Sequence, residues 1–209
     1  MALTPRPPRG RAKAVFIDKD GTLLEDRPYN VDPARLRWSR GAAAALRRLG
    51  RAGWAVIVVT NQPGVAEGRF GLAALARLAR ALTRQLRRRG AALAGFHACP
   101  HGPQARCGCR KPAPGLLLRA ARAHGIDLAR SWMVGDILDD VEAGRRAGCR
   151  SLLLETGGEA EWRPGPLRLP HRRAPSLPAA ARCILAAAPL GLMSARGAGV
   201  PRSRHGQRA

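Results

Sequence analysis

Residues 14–22, Ala14-Val15-Phe16-Ile17-Asp18-Lys19-Asp20-Gly21-Thr22, decide the fold of this chain. Four consecutive apolar residues are typical of a short strand that is buried on both faces of a parallel sheet. The run ends in two carboxylates, Asp18 and Asp20, and then in Gly21, which favours a turn. Open α/β sheets bind ligands at the carboxyl ends of their strands. The stretch therefore predicts two acids at the edge where a site would form; the alternative is an Asp-rich turn without chemistry.

The rest of the chain alternates strand-like and helix-like segments. Further strands are predicted at 54–59, 95–99, 131–134 and 150–155, and helices at 40–52, 72–89, 114–124 and 138–147. This alternation predicts an α/β fold, a three-layer Rossmann-like parallel sheet with helices on both faces. The clearest amphipathic helix is 72–89, with an apolar face predicted at Leu72, Leu75, Ala79, Leu82 and Leu86.

The composition along the chain predicts one folded domain between two biased ends. Residues 1–13 are rich in Pro and Arg and predict a disordered lead, residues 14–160 form the predicted domain, and residues 161–209 form a Pro/Arg-rich extension. One short apolar stretch in the extension, 177–188, is predicted to dock as a helix. The loops between the strands are too short for a large cap domain, so loops are expected to cover the site.

The net charge of +23 is the strongest compositional feature. Such a charge often indicates a nucleic-acid partner. Only three of the 37 Lys and Arg residues are lysines, however, and aromatic residues make up 4% of the chain. This pattern favours a general Arg bias over a nucleic-acid surface, which interleaves cations with aromatic rings. With no long apolar run and no secretory leader, we expect a cytoplasmic, monomeric protein without membrane or nucleic-acid partners.

Four predicted strands end in polar or reactive side chains, and these ends share one edge of a parallel sheet. Phosphoryl transfer requires a nucleophile, a proton donor, a divalent cation and groups that hold the phosphoryl oxygens. Helix capping is the alternative explanation for Thr60-Asn61 and for Asp136. The strand-end residues are Asp18 with Asp20, Thr60 with Asn61, Cys99, and Asp136.

A second group of residues has the composition of a metal site. Three thiols and one imidazole occur within eleven positions, at Cys99, His101, Cys107 and Cys109. This set matches a closed, tetrahedral Cys₃His zinc site, which is structural because no position remains open for water. Free thiols in a loop are the alternative.

The motifs together resemble the haloacid dehalogenase-type phosphatases. Asp18-Lys19-Asp20-Gly21-Thr22 is similar to the first motif of that family, and the later pieces follow in the family's order. The resemblance implies that Asp18 attacks phosphorus and that Asp20 serves as the acid and base. It also implies a Mg²⁺ ion held by Asp18, the backbone carbonyl of Asp20, and Asp136.

The same resemblance assigns the groups that hold the substrate. Thr60, the amide of Asn61, and Lys111 would hold the phosphoryl group, and Arg110 would contact the leaving group. Asp140 would orient Lys111 or shape the surroundings of the metal, and Asp139 is an alternative for that role.

The zinc loop and the stretch 61–66 resemble one subgroup, which contains D-glycero-D-manno-heptose-1,7-bisphosphate 7-phosphatases and histidinol-phosphate phosphatases. The resemblance spans about residues 14–157 and implies a small phosphorylated sugar as substrate. Histidinol phosphate or another small phosphomonoester is an alternative, and a zinc-stabilised nucleic-acid-binding module is an alternative of another class. Glu67 and Ile137 depart from the subgroup, where basic residues are usual at both positions.

Overall fold

The protein, described here by a computed structural model that covers residues 12–159 and 161–187, is built on a single sheet. Its strands are β1 (Ala14–Ile17), β2 (Ala55–Asn61), β3 (Gly95–Cys99), β4 (Trp132–Gly135), β5 (Arg150–Leu154) and β6 (Arg172–Ala174). Its helices are α1 (Ala42–Arg51), α2 (Leu72–Arg88), α3 (Gly115–His124), α4 (Leu138–Arg146) and α5 (Leu177–Ala186). All pairs are parallel, in the order β3-β2-β1-β4-β5-β6.

The core lies on both faces of this sheet. Val15 and Ile17 of β1 pack with α1, α2 and α5, whereas Ala14 and Phe16 pack on the opposite face with α3. This division follows from the strand geometry, since successive side chains point to opposite faces. The predicted three-layer α/β architecture is confirmed. The connections from β1 to α1 and from β3 to α3 contain no inserted domain, as expected.

Strand β2 extends two residues beyond its predicted end. Thr60 and Asn61 continue the ladder by pairing with Ala98 and Cys99 of β3. The prediction stopped at 59 because the apolar run stops there, but hydrogen bonding to a neighbouring strand does not require apolar side chains. As a result, both residues are held by the sheet and not by a loop.

The segment after residue 160 adds a strand that the sequence did not reveal. From composition, residues 161–209 are predicted to be an extension with one docked helix at 177–188. In the structure, β6 lies within it and pairs with β5, and α5 packs on α1. Strand β6 has only three residues, two of them exposed arginines, so neither length nor apolar pattern marks it. Residues 1–11 and 188–209 lie outside the described part of the chain.

Helix α2 buries a different set of side chains from the one predicted. Leu72, expected on the core face, is 61% exposed. The buried positions are Leu75, Leu78, Ala81, Leu82 and Leu86. Ala79, also expected on the core face, is half-buried. None of the helices in the part of the chain that the structure describes has the length and apolarity needed to cross a bilayer.

Candidate active site

Three strands bring the predicted site residues to one edge of the sheet. Strand β1 lies between β2 and β4, and Ile17 pairs with both Val58 and Val134. The next residue, Asp18, donates its backbone N–H to the Val134 carbonyl at 3.0 Å. Its side chain therefore leaves the sheet between the ends of the two neighbouring strands. Residues more than a hundred positions apart meet there.

Lys111 is the cation at the centre of this edge. Its ammonium contacts an Asp18 carboxylate oxygen, lies 2.5 Å from Asp140 Oδ1 and donates to the Val59 carbonyl at 3.1 Å. The residue is only 2% exposed. Burial alone would lower the pKa of Lys111, but the Asp140 and Asp18 carboxylates outweigh it and raise this pKa above its ordinary value. Lys111 is therefore a permanent positive charge.

The Asp136 carboxylate lies in a cradle formed by the Thr22 hydroxyl and by the backbone of Gly21 and Gly158. Thr22 donates its hydroxyl to Asp136 Oδ1 at 2.9 Å. A Cβ atom added to Gly21 or Gly158 would lie 2.0 or 1.9 Å from Asp136 Oδ2. The pKa of Asp136 is raised to about 6 by burial and by the nearby Asp18 carboxylate. Two glycines thus leave space at a carboxylate that needs a counter-charge.

The carboxylates of this edge could hold a divalent cation. One oxygen from each of Asp18, Asp136 and Asp140 lies within 4.8 Å of the others. Lys111 supplies one positive charge against three carboxylates, so negative charge is in excess. Oxygen ligands with excess negative charge suit a hard cation such as Mg²⁺. Because Asp140 Oδ1 already pairs with Lys111, Asp18 and Asp136 are the carboxylates better placed for a metal.

The cradle yields a first prediction. Gly158→Ala is expected to weaken Mg²⁺ binding about tenfold or more, because its methyl group occupies the position of the Asp136 carboxylate. Titration of the protein with Mg²⁺ by calorimetry, in the absence of substrate, measures this directly. The matched control is Gly50→Ala, since a Cβ at Gly50 meets no atom within 4 Å. Equal Mg²⁺ affinity in the Gly158 variant and the control would contradict the cradle.

Asp20 occupies a more open position than Asp18. Its Oδ1 lies 2.5 Å from the Lys19 ammonium, and its Oδ2 accepts from Gln62 Nε2 at 3.0 Å. Burial raises the pKa of Asp20, although Lys19 opposes the shift. A carboxyl with a raised pKa exchanges its proton more readily at neutral pH than an ordinary aspartate. The site thus places a second acid beside Asp18 in a different environment.

The side chain of Asn61 binds the backbone of Lys111. Its Nδ2 donates to the Lys111 carbonyl at 3.0 Å, and its Oδ1 accepts from the Lys111 N–H at 3.0 Å. These two hydrogen bonds hold the end of β2 against the loop before α3. The neighbouring Thr60 is buried and accepts from Gln62 Nε2 at 3.0 Å. Asn61 therefore fixes the position of Lys111 in addition to any contact of its own amide with substrate.

The four predicted zinc ligands converge as a cluster. Cys99 Sγ lies 3.4 Å from His101 Nδ1, 3.7 Å from Cys107 Sγ and 3.3 Å from Cys109 Sγ. Cys109 Sγ is also 3.3 Å from His101 Nδ1. A tetrahedron with metal–sulfur bonds of about 2.3 Å has sulfur–sulfur edges of about 3.8 Å. The spacing and the soft donor set could accommodate zinc.

Arg110 stands between Cys109 and Lys111 in the sequence. Its Nη1 is 3.4 Å from the His101 carbonyl, so the loop that carries the cluster also holds this guanidinium.

Glu67, which departs from the resemblance, lies 2.9 Å from Arg69 Nε. Arg69 in turn stacks on Tyr29 at 4.0 Å from the ring centroid. The Glu67 carboxylate is thus paired with the guanidinium of Arg69, two residues later.

The two aspartates that compete for the supporting role have separate surroundings. Asp140 is buried against Lys111, whereas Asp139 pairs with Arg168 at 2.6 Å nearer the surface. The geometry therefore favours Asp140, as the family spacing does. Ile137 provides no polar side chain for the start of α4. Glu159, from a distant segment, accepts the Leu138 N–H at 2.6 Å instead.

Sequence reasoning missed three residues that hold the site. Thr22 fixes Asp136, and Lys19 and Gln62 fix Asp20. One signal was available for Gln62, because it follows Thr60 by two positions. Alternate residues of an extended segment share a side. That signal fails for Lys19, which is adjacent to its partner.

Comparisons with known proteins give the family. A model described as HAD-hydrolase-like matches residues 108–180. Among curated relatives, the chain is 42% identical over 144 residues to a D-glycero-beta-D-manno-heptose-1,7-bisphosphate 7-phosphatase of Pseudomonas aeruginosa, covering 68% of this chain and 81% of that protein. The Escherichia coli protein of the same name is 39% identical over 152 residues, covering 69% and 80%.

Solved structures agree with these relatives. A D,D-heptose 1,7-bisphosphate phosphatase from B. bronchiseptica, complexed with magnesium and phosphate, superposes with a TM-score of 0.72 at 34% identity, covering 83% of this chain and 98% of that chain. A putative HAD-like phosphatase from Mesorhizobium loti gives 0.71 at 33% identity, covering 87% and 91%. The chain belongs to the HAD-like hydrolases, in the family of the D-glycero-beta-D-manno-heptose-1,7-bisphosphate 7-phosphatases, and is a phosphoric monoester hydrolase.

Proposed function

We propose that this enzyme removes the 7-phosphate of D-glycero-D-manno-heptose 1,7-bisphosphate through an aspartyl-phosphate on Asp18, with Mg²⁺ as its cofactor. The observation that carries the proposal is the buried Lys111 ammonium, which contacts Asp18 at the edge that also presents Asp136. A carboxylate oxygen held against a fixed ammonium is positioned to act as a nucleophile. The names and the magnesium complex of the relatives support the substrate and the metal.

The first half-reaction would transfer the phosphoryl group to Asp18. An Asp18 oxygen forms a bond to phosphorus while the bond from phosphorus to the sugar oxygen breaks. Asp20 gives its proton to that leaving oxygen. Lys111, Thr60 and the Asn61 amide are the groups proposed to hold the phosphoryl oxygens as negative charge moves between them. Arg110 is proposed to contact the leaving sugar.

The second half-reaction would release phosphate by the reverse proton movement. Water attacks phosphorus, Asp20 takes the proton from that water, and the bond between Asp18 and phosphorus breaks. Free phosphate, the Asp18 carboxylate and protonated Asp20 result. Mg²⁺, when bound by Asp18, Asp136 and the Asp20 carbonyl, would supply positive charge to the phosphoryl oxygens.

Zinc is proposed as the structural ion of the loop from residue 99 to residue 109. The proposal rests on the four converging donor atoms and on the connection from this loop to Arg110 and Lys111. Burial opposes ionisation of Cys107, yet N–H donors and neighbouring thiols lower the pKa of Cys107 to about 6. A thiolate is the form that binds zinc.

Loss of one zinc ligand yields a second prediction. Cys107→Ser is expected to lower the bound zinc from one equivalent to well below half, because a hydroxyl is a poor replacement for a thiolate. It is also expected to lower Tm by several degrees, since metal binding contributes to folding. Metal analysis of the purified protein and thermal unfolding measure the two effects. Cys183→Ser, which removes a thiol outside the cluster, should retain the full equivalent; zinc-free wild-type protein with an unchanged Tm would contradict the proposal.

A comparison of substrates tests the proposed specificity. With Mg²⁺ present, kcat/KM for D-glycero-D-manno-heptose 1,7-bisphosphate is expected to exceed that for histidinol phosphate by at least about 100-fold. An equal or higher value for histidinol phosphate would replace the heptose assignment with the alternative. Failure to hydrolyse any phosphomonoester, together with tight and salt-sensitive DNA or RNA binding, would instead favour a nucleic-acid-binding module.

A further inference from the structure

A cavity of about 330 Å³ lies at the amino-terminal end of the sheet, opposite the catalytic edge. Trp132 and Arg150 begin β4 and β5, Lys13 and Trp54 directly precede β1 and β2, and Ile184 belongs to α5. The parallel strands separate this cavity from Asp18, Thr60 and Asp136, which lie at their other ends. The cavity is therefore distinct from the candidate active site. Its lining includes Lys13, Trp54, Arg130, Trp132, Arg150 and Ile184.

In the part of the chain that the structure describes, the cavity collects positive charge without a counter-charge. Lys13, Arg130 and Arg150 line it, and no acidic residue does. Within residues 12–159 and 161–187, none of the three forms an ion pair within 4.0 Å. Elsewhere in the same part of the chain, Arg146 and Arg168 pair with acids. Three unpaired cations around one concave surface create a positive potential that attracts an anion.

Two of these cations are held in place by aromatic rings. Lys13 Nζ lies 4.4 Å from the centroid of the Trp54 ring, and Arg150 Cζ lies 5.4 Å from the centroid of the Trp132 ring. Such contacts restrain a long side chain without neutralising its charge. The positive groups are therefore placed before a ligand arrives, which reduces the entropy lost on binding.

The rest of the cavity lining is apolar. A simple inorganic anion would therefore fit this cavity less well than a ligand with an apolar part. The two tryptophans, Ile184 and Leu185 form walls that a small hydrated anion would leave unused. A cavity of this volume is within the range of sites for small organic molecules. We propose that it binds a small amphipathic anion, with an apolar or aromatic body against these walls and a carboxylate, sulfonate or phosphate beside Lys13, Arg130 and Arg150.

Fluorescence titration with 8-anilinonaphthalene-1-sulfonate tests this proposal on the full chain. The probe carries an apolar body and one anionic group, and it is expected to bind at one saturable site. N-phenyl-1-naphthylamine, which shares the apolar body but lacks the sulfonate, is expected to bind at least about tenfold more weakly. Equal affinity for the two probes would overturn the assignment of an anion site.

Charge variants locate the binding. The double variant Arg130→Gln with Arg150→Gln is expected to weaken sulfonate binding at least about tenfold. Arg130→Glu tests the same point in a residue that is exposed, so its effect does not depend on packing against Trp132. Arg77→Gln with Arg84→Gln removes two exposed charges from α2 as a control for net charge.

Three results would overturn the proposal. They are unchanged affinity in both the double and the Arg130→Glu variants, an equal loss in the α2 control, and the absence of any saturable binding. The last result would favour another occupant of the cavity, either a second copy of the chain or its own residues 188–209.

Discussion

Asp18→Asn is expected to lower kcat at least about 10⁴-fold while the fold survives. The amide is far less nucleophilic than the carboxylate, so the bond to phosphorus cannot form at a useful rate. The amide oxygen still accepts a hydrogen bond from Lys111, and the side chain keeps its size. We therefore expect Tm to change by no more than about 4 °C. Phosphate release under saturating substrate and Mg²⁺, with thermal unfolding of the same sample, measures both quantities.

The control for this variant lies at the other end of the sheet. Asp127 caps the 3₁₀ turn at Leu128–Arg130 by accepting the Ala129 N–H at 3.1 Å. Asp127→Asn keeps an acceptor at that position and removes the same charge. Its kcat should match that of the wild type. Turnover by Asp18→Asn within tenfold of this control would refute Asp18 as the nucleophile.

Lys111→Met is the second change with a large expected effect. It leaves the Asp18 and Asp140 carboxylates buried without their ammonium. Removing one partner of a buried ion pair costs about 3–5 kcal/mol of unfolding free energy. We also expect kcat/KM to fall at least about 10³-fold, because the phosphoryl group loses a fixed positive charge. Urea unfolding and steady-state kinetics measure the two losses separately.

A second substitution distinguishes the two roles of Lys111. Adding Asp140→Asn to Lys111→Met removes one of the two unpaired carboxylates, so a substantial part of the lost unfolding free energy should return. Activity should not return, because the positive charge is still missing. If Lys111→Met alone unfolds at the wild-type urea concentration, Lys111 is not the buried counter-charge described here. If the double variant regains activity, Lys111 acts only on stability.

The fold could be predicted from sequence because its central strands carry a simple pattern. Strand β1 is a fully apolar run that is followed by Asp18, and strands β2 to β5 each follow a helix. Parallel pairing then requires the strand ends to meet at one edge. Asp18 and Asp136 follow β1 and β4 and lie close together for that reason, whereas Lys111 reaches them from the loop before α3. Their catalytic and metal-binding roles remain predictions that the experiments above address.

The remaining features depend on tertiary contacts that no local pattern records. Strand β6 has three residues, and only its pairing with β5 makes it a strand. The bond from the Asn61 side chain to the Lys111 backbone joins residues fifty positions apart. Glu159 accepts the Leu138 N–H at the start of α4, although it lies 21 positions later in the chain. Such partners are set by the packing of distant segments, and sequence spacing alone cannot identify them.

Two glycines have a role at Asp136 that their sequence positions do not indicate. Gly21 and Gly158 both face the Asp136 carboxylate, although one follows β1 and the other follows β5. Gly21 is predicted to be a turn residue, and its φ of +75° agrees with that prediction. Its second property, the absence of a Cβ beside Asp136, follows from a contact between distant segments.

Reductive trapping during turnover tests the central claim most directly. Borohydride reduces an acyl phosphate to an alcohol, so a phosphorylated aspartate becomes homoserine at the same position of the chain. We expect peptide mass spectrometry of the quenched, reduced enzyme to find homoserine at position 18, only when both substrate and Mg²⁺ are present. Homoserine at another aspartate, or rapid turnover under trapping conditions without any homoserine at position 18, would contradict the account.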